Sequence, residues 1–330
     1  MHISVVIPVY NGAQTLAECL EAIYASDYSD FDVIVVDDAS TDESRAITES
    51  FPCRVISHTV NKGAAWAKNE GALAAHGEII FFTDADVIIQ PETLRTLSED
   101  FQDEALIGVV GLLGHRLRYA NFCSQFKNLW MHYTYRRQPK YVGLFFTSVA
   151  SIRRKHFLAM GAFDEHYQGA SVTEDIEFGQ RLLTDGCKVL LDQRLTVEHV
   201  KHYRFWGLLK CDLQRSRGLF MTFLRNKLGR TGRKHWASVP WFFTLGVPLA
   251  GLVVLFTLFS LASWRSVWLL PALGAYGMLV VLNWPFLGFM GKMRGKWFLV
   301  RSCLFLPLNL FVSGLGIVWA IVDYARGQRY

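Results

Sequence analysis

The sequence predicts an α/β domain, with a mixed, mostly parallel sheet flanked by helices, followed by a C-terminal α-helical membrane domain. Three observations predict it. Short apolar, β-branched runs alternate with helix-period segments through roughly the first hundred residues, the pattern of a sheet covered on both faces. Two of those runs end in carboxylates, FDVIVVDD (31–38) and EIIFFTDAD (78–86). After residue 240 charged residues almost vanish.

The elements follow in order. ISVVIPV (3–9) reads as a strand, and residues 14–25 carry helical periodicity. FDVIVVDD is the second strand, with a helix expected over 42–50 and a short strand at CRVIS (53–57). Residues 63–76 read as an Ala-rich helix, EIIFFTDAD as a further strand, and Pro91 opens another helix. GVVGLLG (108–114) belongs to a strand. In parallel sheets ligands bind at the carboxyl ends of strands, so both acidic clusters are expected on one rim.

The chain has 330 residues, enough for one large or two modest domains. It is 51% hydrophobic, with a mean hydropathy of +0.20. MHISVVIPVYNG has no basic n-region and reads as a buried strand rather than a secretory leader, so a cytosolic start is expected. Six cysteines form no CxxC pair, and free thiols are the default reading. The dinucleotide GxGxxG and the Walker loop are absent, which argues against hydride transfer and P-loop ATPase chemistry.

Two basic stretches stand out. Residues 115–140 are basic and aromatic, and fit an amphipathic helix at a membrane, the lining of an acceptor groove, or an ordinary surface helix with an aromatic core face equally well. Residues 201–235 set Lys201, Arg204, Lys210, Arg215, Arg217, Arg225, Lys227, Arg230, Arg233 and Lys234 against Asp212 alone, interleaved with aromatic and leucine residues. That fits a helix at an anionic membrane surface. Nucleic acid, the other partner of a basic stretch, is not expected here because three apolar segments follow.

Residues 241–263, about 267–290 and 297–322 are each long enough to span a bilayer, which takes about 20 apolar residues. Five of the nine prolines fall from Pro240 onward, and spanning helices tolerate them better than soluble ones do. The basic cluster before Pro240 and the loop GKMRGK (291–296) are expected on the cytosolic side and Arg265 outside. Three spans leave Arg326 and Arg329 outside, against that rule; a re-entrant first segment would remove the conflict. The expected division is 1–200 for a cytosolic catalytic domain, 201–238 for a basic interfacial region, and 239–330 for about three membrane helices.

Several residue patterns suggest chemistry. Asp84 and Asp86, two residues apart after a buried strand, suit a hard divalent cation that also binds phosphate oxygens. Taken alone, two aspartates in a turn are usually just turn residues. Asp37 and Asp38 fit a ribose or base edge, and Asp38, Ser40 or Thr41 also fits the cap of the next helix. His199 is a metal candidate, though a lone histidine is more often structural. In SVTEDIEFGQRL (171–182), Ser171 and Glu174 have capping-box spacing, with Asp175 beside them.

VVIPVYNG (5–12), VVDDASTD (35–42), NKGAAWAKNEG (61–71), FFTDAD (81–86), MGAFDE (160–165) and TEDIEFGQRL (173–182) occur in that order. Together, over roughly residues 3–200, they resemble the inverting family 2 glycosyltransferases of GT-A fold. QRSRG (214–218) resembles the Q-x-x-R-W motif of the membrane-bound branch, with Gly218 in place of tryptophan.

The resemblance implies that Pro8, Val9, Tyr10 and Asn11 line the nucleotide site, with Asp38 on the base or ribose. Lys68, where arginine is commoner, approaches the nucleotide, and Asp84 and Ala85 contact it. Asp86, with His199 as a further candidate, holds Mg²⁺ or Mn²⁺ on the diphosphate. Asp175 is the general base. Glu174, Gln214 and Arg217 face the diphosphate or acceptor. Phe163, Asp164 and Glu165 shape the acceptor side or simply form a turn.

The implied partners are a nucleotide-sugar donor (UDP- or GDP-linked), a lipid-linked or membrane-proximal glycan acceptor, and membrane lipids, in cell-envelope glycan synthesis at an inner membrane. Direct attack by a hydroxyl needs one base and inverts the anomeric centre. A polyprenyl-phosphate acceptor is already ionised and needs a base less. A processive polysaccharide synthase is disfavoured by few spans and by Gly218. A catalytically silent sugar-nucleotide sensor or scaffold is the reading from another class, opposed by intact Asp84, Asp86 and Asp175.

Overall fold

The computed structural model describes residues 1–167, 173–227 and 239–329. Ser171 of the capping-box spacing, and Arg230, Arg233 and Lys234 of the basic stretch, lie outside the described residues. The chain divides into two compact units. The first holds residues 1–119 and 135–202; the second holds 120–134, 203–227 and 239–329.

The first unit begins with β1 (Ile3–Val9), α1 (Leu16–Tyr24), β2 (Phe31–Asp37), α2 (Ser44–Glu49) and β3 (Arg54–Ser57). It continues with α3 (Ala64–Ala74), β4 (Ile79–Phe82), β5 (Val87–Ile88), α4 (Thr93–Asp100) and β6 (Leu106–Leu113). Helix α5 (Phe122–Arg136) lies mostly in the second unit. After it come a 3-10 turn at Thr147–Val149, β7 (Ala150–Arg153), α6 (Arg154–Ala159), α7 (Glu174–Thr184) and β8 (Lys188–His199).

Among the described residues the strands form one eight-stranded sheet in the order β3-β2-β1-β4-β7-β6-β8-β5. β1 runs parallel to β2 and β4, setting Val9 beside Asp37 and Val6 beside Phe82. The sheet is mixed because β7 runs antiparallel to β4 and β6, and β5 antiparallel to the end of β8. β1 and β4 are buried almost throughout, as strands covered on both faces must be. Helix α3 sits tightly on this sheet: a Cβ at Gly71 would overlap the Val6 side chain. An aromatic cluster of Phe82, Phe145, Phe157, Phe163 and Phe178 fills the space beside α6 and α7.

The second unit is helical: α8 (Phe205–Lys227), α9 (Trp241–Ser263), a 3-10 turn at Ser266–Trp268, α10 (Leu269–Leu282), α11 (Trp284–Arg294) and α12 (Lys296–Ala325). Among the described residues two helices, α9 and α12, are long and apolar enough to cross a membrane, or up to three if a bent pair counts as one. The segment expected as one continuous span near 267–290 is instead broken. Residues 266–282 and α11 are bent by 68° at Asn283. Pro285 lies in the first turn of α11, where its missing N–H is tolerated but the helix before it cannot continue unbroken.

Helix α5, for which an aromatic core face is one of the expected readings, does turn that face inward. Phe126, Leu129 and Tyr133 pack into the helical core with Phe243, Phe286, Met290 and Leu306. Its polar residues Gln125, Lys127, Asn128 and His132 are buried as well. Helix α8, expected as a helix at an anionic membrane surface, is tied along α12. Asn309 donates to Asp212 Oδ2 at 2.6 Å, and Asp212 also pairs with Lys127. Ser302, Asn309, Gly316 and Asp323 are buried at seven-residue spacing on α12, so they share one face, while Leu304, Leu315, Val318 and Ile321 are exposed. A Cβ at Gly316 would collide with the Leu213 carbonyl oxygen of α8.

Candidate active site

The carboxyl ends of β1, β2 and β4 lie side by side, and the acidic motifs sit there because those strands are parallel neighbours. Two rim residues have left-handed backbone, Asn11 at φ 53° and Ala39 at φ 65°. Such conformations are costly for non-glycine residues and persist only where surroundings enforce them. Here Asn11 Oδ1 accepts from the Thr41 backbone N–H at 2.8 Å, and Asn11 N–H donates to Ser40 Oγ at 3.0 Å. The β1 and β2 loops thus brace each other. Tyr10 is exposed beside them, Val9 is buried, and Pro8 is half-buried. Ala85 lies against this turn, its Cβ 3.4 Å from where a Cβ on Gly12 would stand.

Asp38 is buried, and its two oxygens accept from the Lys62 and Gly63 backbone N–H groups at 2.9 and 2.7 Å. It therefore fixes the entry to α3. The expected alternative, a cap on α2 from Asp38, Ser40 or Thr41, is not what forms. Asp42 Oδ1 takes the Ser44 N–H at 3.0 Å and its hydroxyl at 2.6 Å.

Asp84, Asp86 and His199 converge, with one ligand atom of each within 4.8 Å of the others. The pairing of β5 with β8 brings His199 beside Val87, and Val200 N–H donates to the Asp86 carbonyl at 2.7 Å. His199 Nε2 is 3.1 Å from Asp86 Oδ1. Burial alone would raise the Asp86 carboxyl, but His199 and Lys201 outweigh it and hold it below the usual carboxylate range. Ser148 donates to Asp84 Oδ2 at 2.6 Å. Two carboxylates and an imidazole form a donor set suited to a divalent cation.

Asp175 stands in the first turn of α7, beside Glu174, where the helix dipole favours negative charge. Its Oδ1 accepts from the Ile176 N–H at 2.7 Å. Thr173 makes no side-chain cap there. Lys68, expected near the nucleotide, and Glu174, expected at the diphosphate or acceptor, bond each other. Lys68 is buried and donates to Thr147 Oγ1 at 2.5 Å and to Glu174 Oε1 at 2.8 Å. Burial would lower this ammonium, yet Glu174, Asp84 and Asp175 together raise it above the usual lysine range. Lys68 is thus engaged by Thr147 and Glu174 and feels the charge of three carboxylates.

Sequence reasoning missed Thr147, Ser148 and Asn69. Asn69 clamps the MGAFDE turn, bonding both the N–H and the carbonyl of Phe163 at 3.0 and 2.9 Å and Glu165 Oε1 at 2.9 Å. Phe163 itself is buried. The only available signal was the position of Asn69 next to Lys68 in NKGAAWAKNEG. Gln214 and Arg217 belong to the second unit, on α8. Arg217, expected at the diphosphate or acceptor, is engaged by Asp323, with Nε and Nη2 at 2.7 and 2.6 Å from Oδ2, and lies over the Trp319 ring.

A mixed sheet with an acidic metal-type rim and a carboxylate-bearing helix start defines a GT-A type α/β unit. The family model for Glycosyl transferase family 2 matches residues 4–160, and this segment is a family 2 glycosyltransferase domain. The chain is 37% identical over 138 residues to Glycosyltransferase GlyG of Streptococcus pneumoniae, covering 40% of this chain and 44% of that protein. It is 36% identical over 119 residues to the poly(ribitol-phosphate) beta-glucosyltransferase of Bacillus spizizenii, covering 33% of this chain and 19% of that protein. Each match thus spans less than half of the relative's length. Among solved structures, the mannosyltransferase PcManGT of Pyrobaculum calidifontis, in complex with GDP-Man and Mn²⁺, has the same fold. The TM-score is 0.60 at 19% identity, over 96% of this chain and 87% of that one.

Proposed function

We propose that the chain is a membrane-anchored, inverting glycosyltransferase. It moves a sugar from a UDP- or GDP-linked donor to a hydroxyl of a lipid-linked or membrane-proximal acceptor. The observation that carries this reading is the convergence of Asp84, Asp86 and His199 at the rim next to the braced β1 and β2 loops. The nucleotide lies along Pro8, Val9, Tyr10 and Asn11, with Asp38 and Ala85 shaping its pocket.

Asp84, Asp86 and His199 would hold a Mg²⁺ or Mn²⁺ ion, whose charge neutralises the departing diphosphate. Asp175 accepts the proton of the acceptor hydroxyl as its oxygen attacks the anomeric carbon. The bond from that carbon to the diphosphate breaks on the opposite face, and the configuration inverts. No acid is needed for the leaving group, since a nucleoside diphosphate is itself a stable anion on departure.

The apolar helices α9 and α12 support anchoring. An anchored enzyme meets an acceptor that cannot leave the bilayer, with the catalytic unit on the cytoplasmic side of an inner membrane. Thermal unfolding of the purified chain with UDP-glucose, UDP-GlcNAc and GDP-mannose, each with and without Mn²⁺, tests the donor reading. Stabilisation by at least one donor, lost on adding EDTA, is expected. No shift with any of them sinks it.

A further inference from the structure

We propose that Lys68, Thr147 and Ser148 are positioning residues that tie the metal-side carboxylate Asp84 to the base Asp175. The inference rests on reading Asp175 as the base.

The connection is continuous and comes from four separate elements. Ser148 Oγ donates to Asp84 Oδ2 at 2.6 Å, just after β4. The Thr83 hydroxyl donates to the Ser148 carbonyl at 3.2 Å, holding the same 3-10 turn from the other side. Thr147, the adjacent residue, receives Lys68 of α3 at 2.5 Å. Lys68 reaches Glu174 at 2.8 Å in the first turn of α7, and Asp175 follows it directly.

The side chains of Lys68 and Glu174 are only 5% and 3% exposed. Glu174 Oε2 is buried with no hydrogen-bond partner among the described residues, and the Lys68 ammonium compensates its charge. Apolar residues of like volume stabilise a fold as well as a buried ion pair does, or better. What such residues cannot do is fix the direction of the first turn of α7 by a hydrogen bond, or place a cation among Glu174, Asp84 and Asp175. The pair therefore serves geometry: it holds the base at a set distance from the cation site, as direct displacement requires.

The test replaces the pair with Lys68→Met/Glu174→Met. Three quantities are measured: thermal unfolding, UDP binding with Mn²⁺ by calorimetry, and release of UDP or GDP from the sugar nucleotide the wild type turns over fastest. The expected result is a folded protein with UDP affinity within threefold of wild type and turnover at least tenfold lower. Turnover within threefold of wild type overturns the inference, as does a loss of UDP affinity that accounts for the whole loss of turnover. If the double variant does not fold, Ser148→Ala and Glu174→Gln decide by the same split. A fall in kcat at unchanged donor KM supports the tie, and unchanged kcat in both overturns it. Asp175→Asn is measured alongside: wild-type turnover there sinks the base reading itself, separately from the result for the pair.

Discussion

Lys68 and Glu174 are 106 residues apart in sequence, yet they form a 2.8 Å ion pair that is shut off from solvent. Removing one partner leaves the other charge buried alone, which costs about 3–5 kcal/mol. Lys68→Met should therefore lower the unfolding free energy of the catalytic unit by that amount in urea titration. Adding Glu174→Met should restore most of it. A single variant as stable as wild type contradicts the buried pair.

Asp86 and His199 should control metal affinity. Asp86→Asn and His199→Ala should each weaken Mn²⁺ binding at least tenfold by electron paramagnetic resonance titration, without loss of folding. Retained affinity in both variants removes the cation site from this rim.

Asp100 offers a pH test away from the active site. It ends α4 beside Asp192 and Arg194 of β8, with Glu99 next to it. Burial and the Asp192 carboxylate push it up to about 7, against the opposing pull of Arg194. The folded state thus holds a proton that the unfolded chain releases at about pH 4. Stability from this group is present at low pH and lost as pH rises through about 7. Between pH 5 and 8 the wild-type melting temperature should fall relative to Asp100→Asn, and parallel curves contradict this.

In the helical unit, Gly316 lets α12 touch the α8 backbone. Gly316→Val should cost about 1–3 kcal/mol by overpacking, seen as a lower melting temperature in detergent. Gly274→Ala is the control, since a Cβ there meets nothing. Equal effects of the two variants would falsify the tight α8–α12 contact.

Much of this was legible in the sequence because it is local. Continuous apolar runs mark β1, β2 and β4, and acidic residues at the ends of β2 and β4 mark the rim. Apolar length marks α9 and α12. The antiparallel direction of β7 was not legible, since ASIR carries no sign of its neighbours. Thr147 and Ser148 sit in an apolar run with no motif, and their partners Lys68 and Asp84 lie more than 60 residues away. The roles expected of Lys68, Glu174 and Arg217 came from position in a motif. Their actual partners depend on which charges the fold buries together. The break at Asn283 was signalled by Pro285, but apolar length outweighed it.

The most direct measurement is donor binding and sugar transfer by Asp175→Asn, compared with wild type in membranes containing the acceptor. UDP or GDP binding with Mn²⁺ should stay within threefold of wild type while transfer falls by a factor of about a hundred or more, on the order expected for removing a general base. Transfer at the wild-type rate would contradict Asp175 as that base.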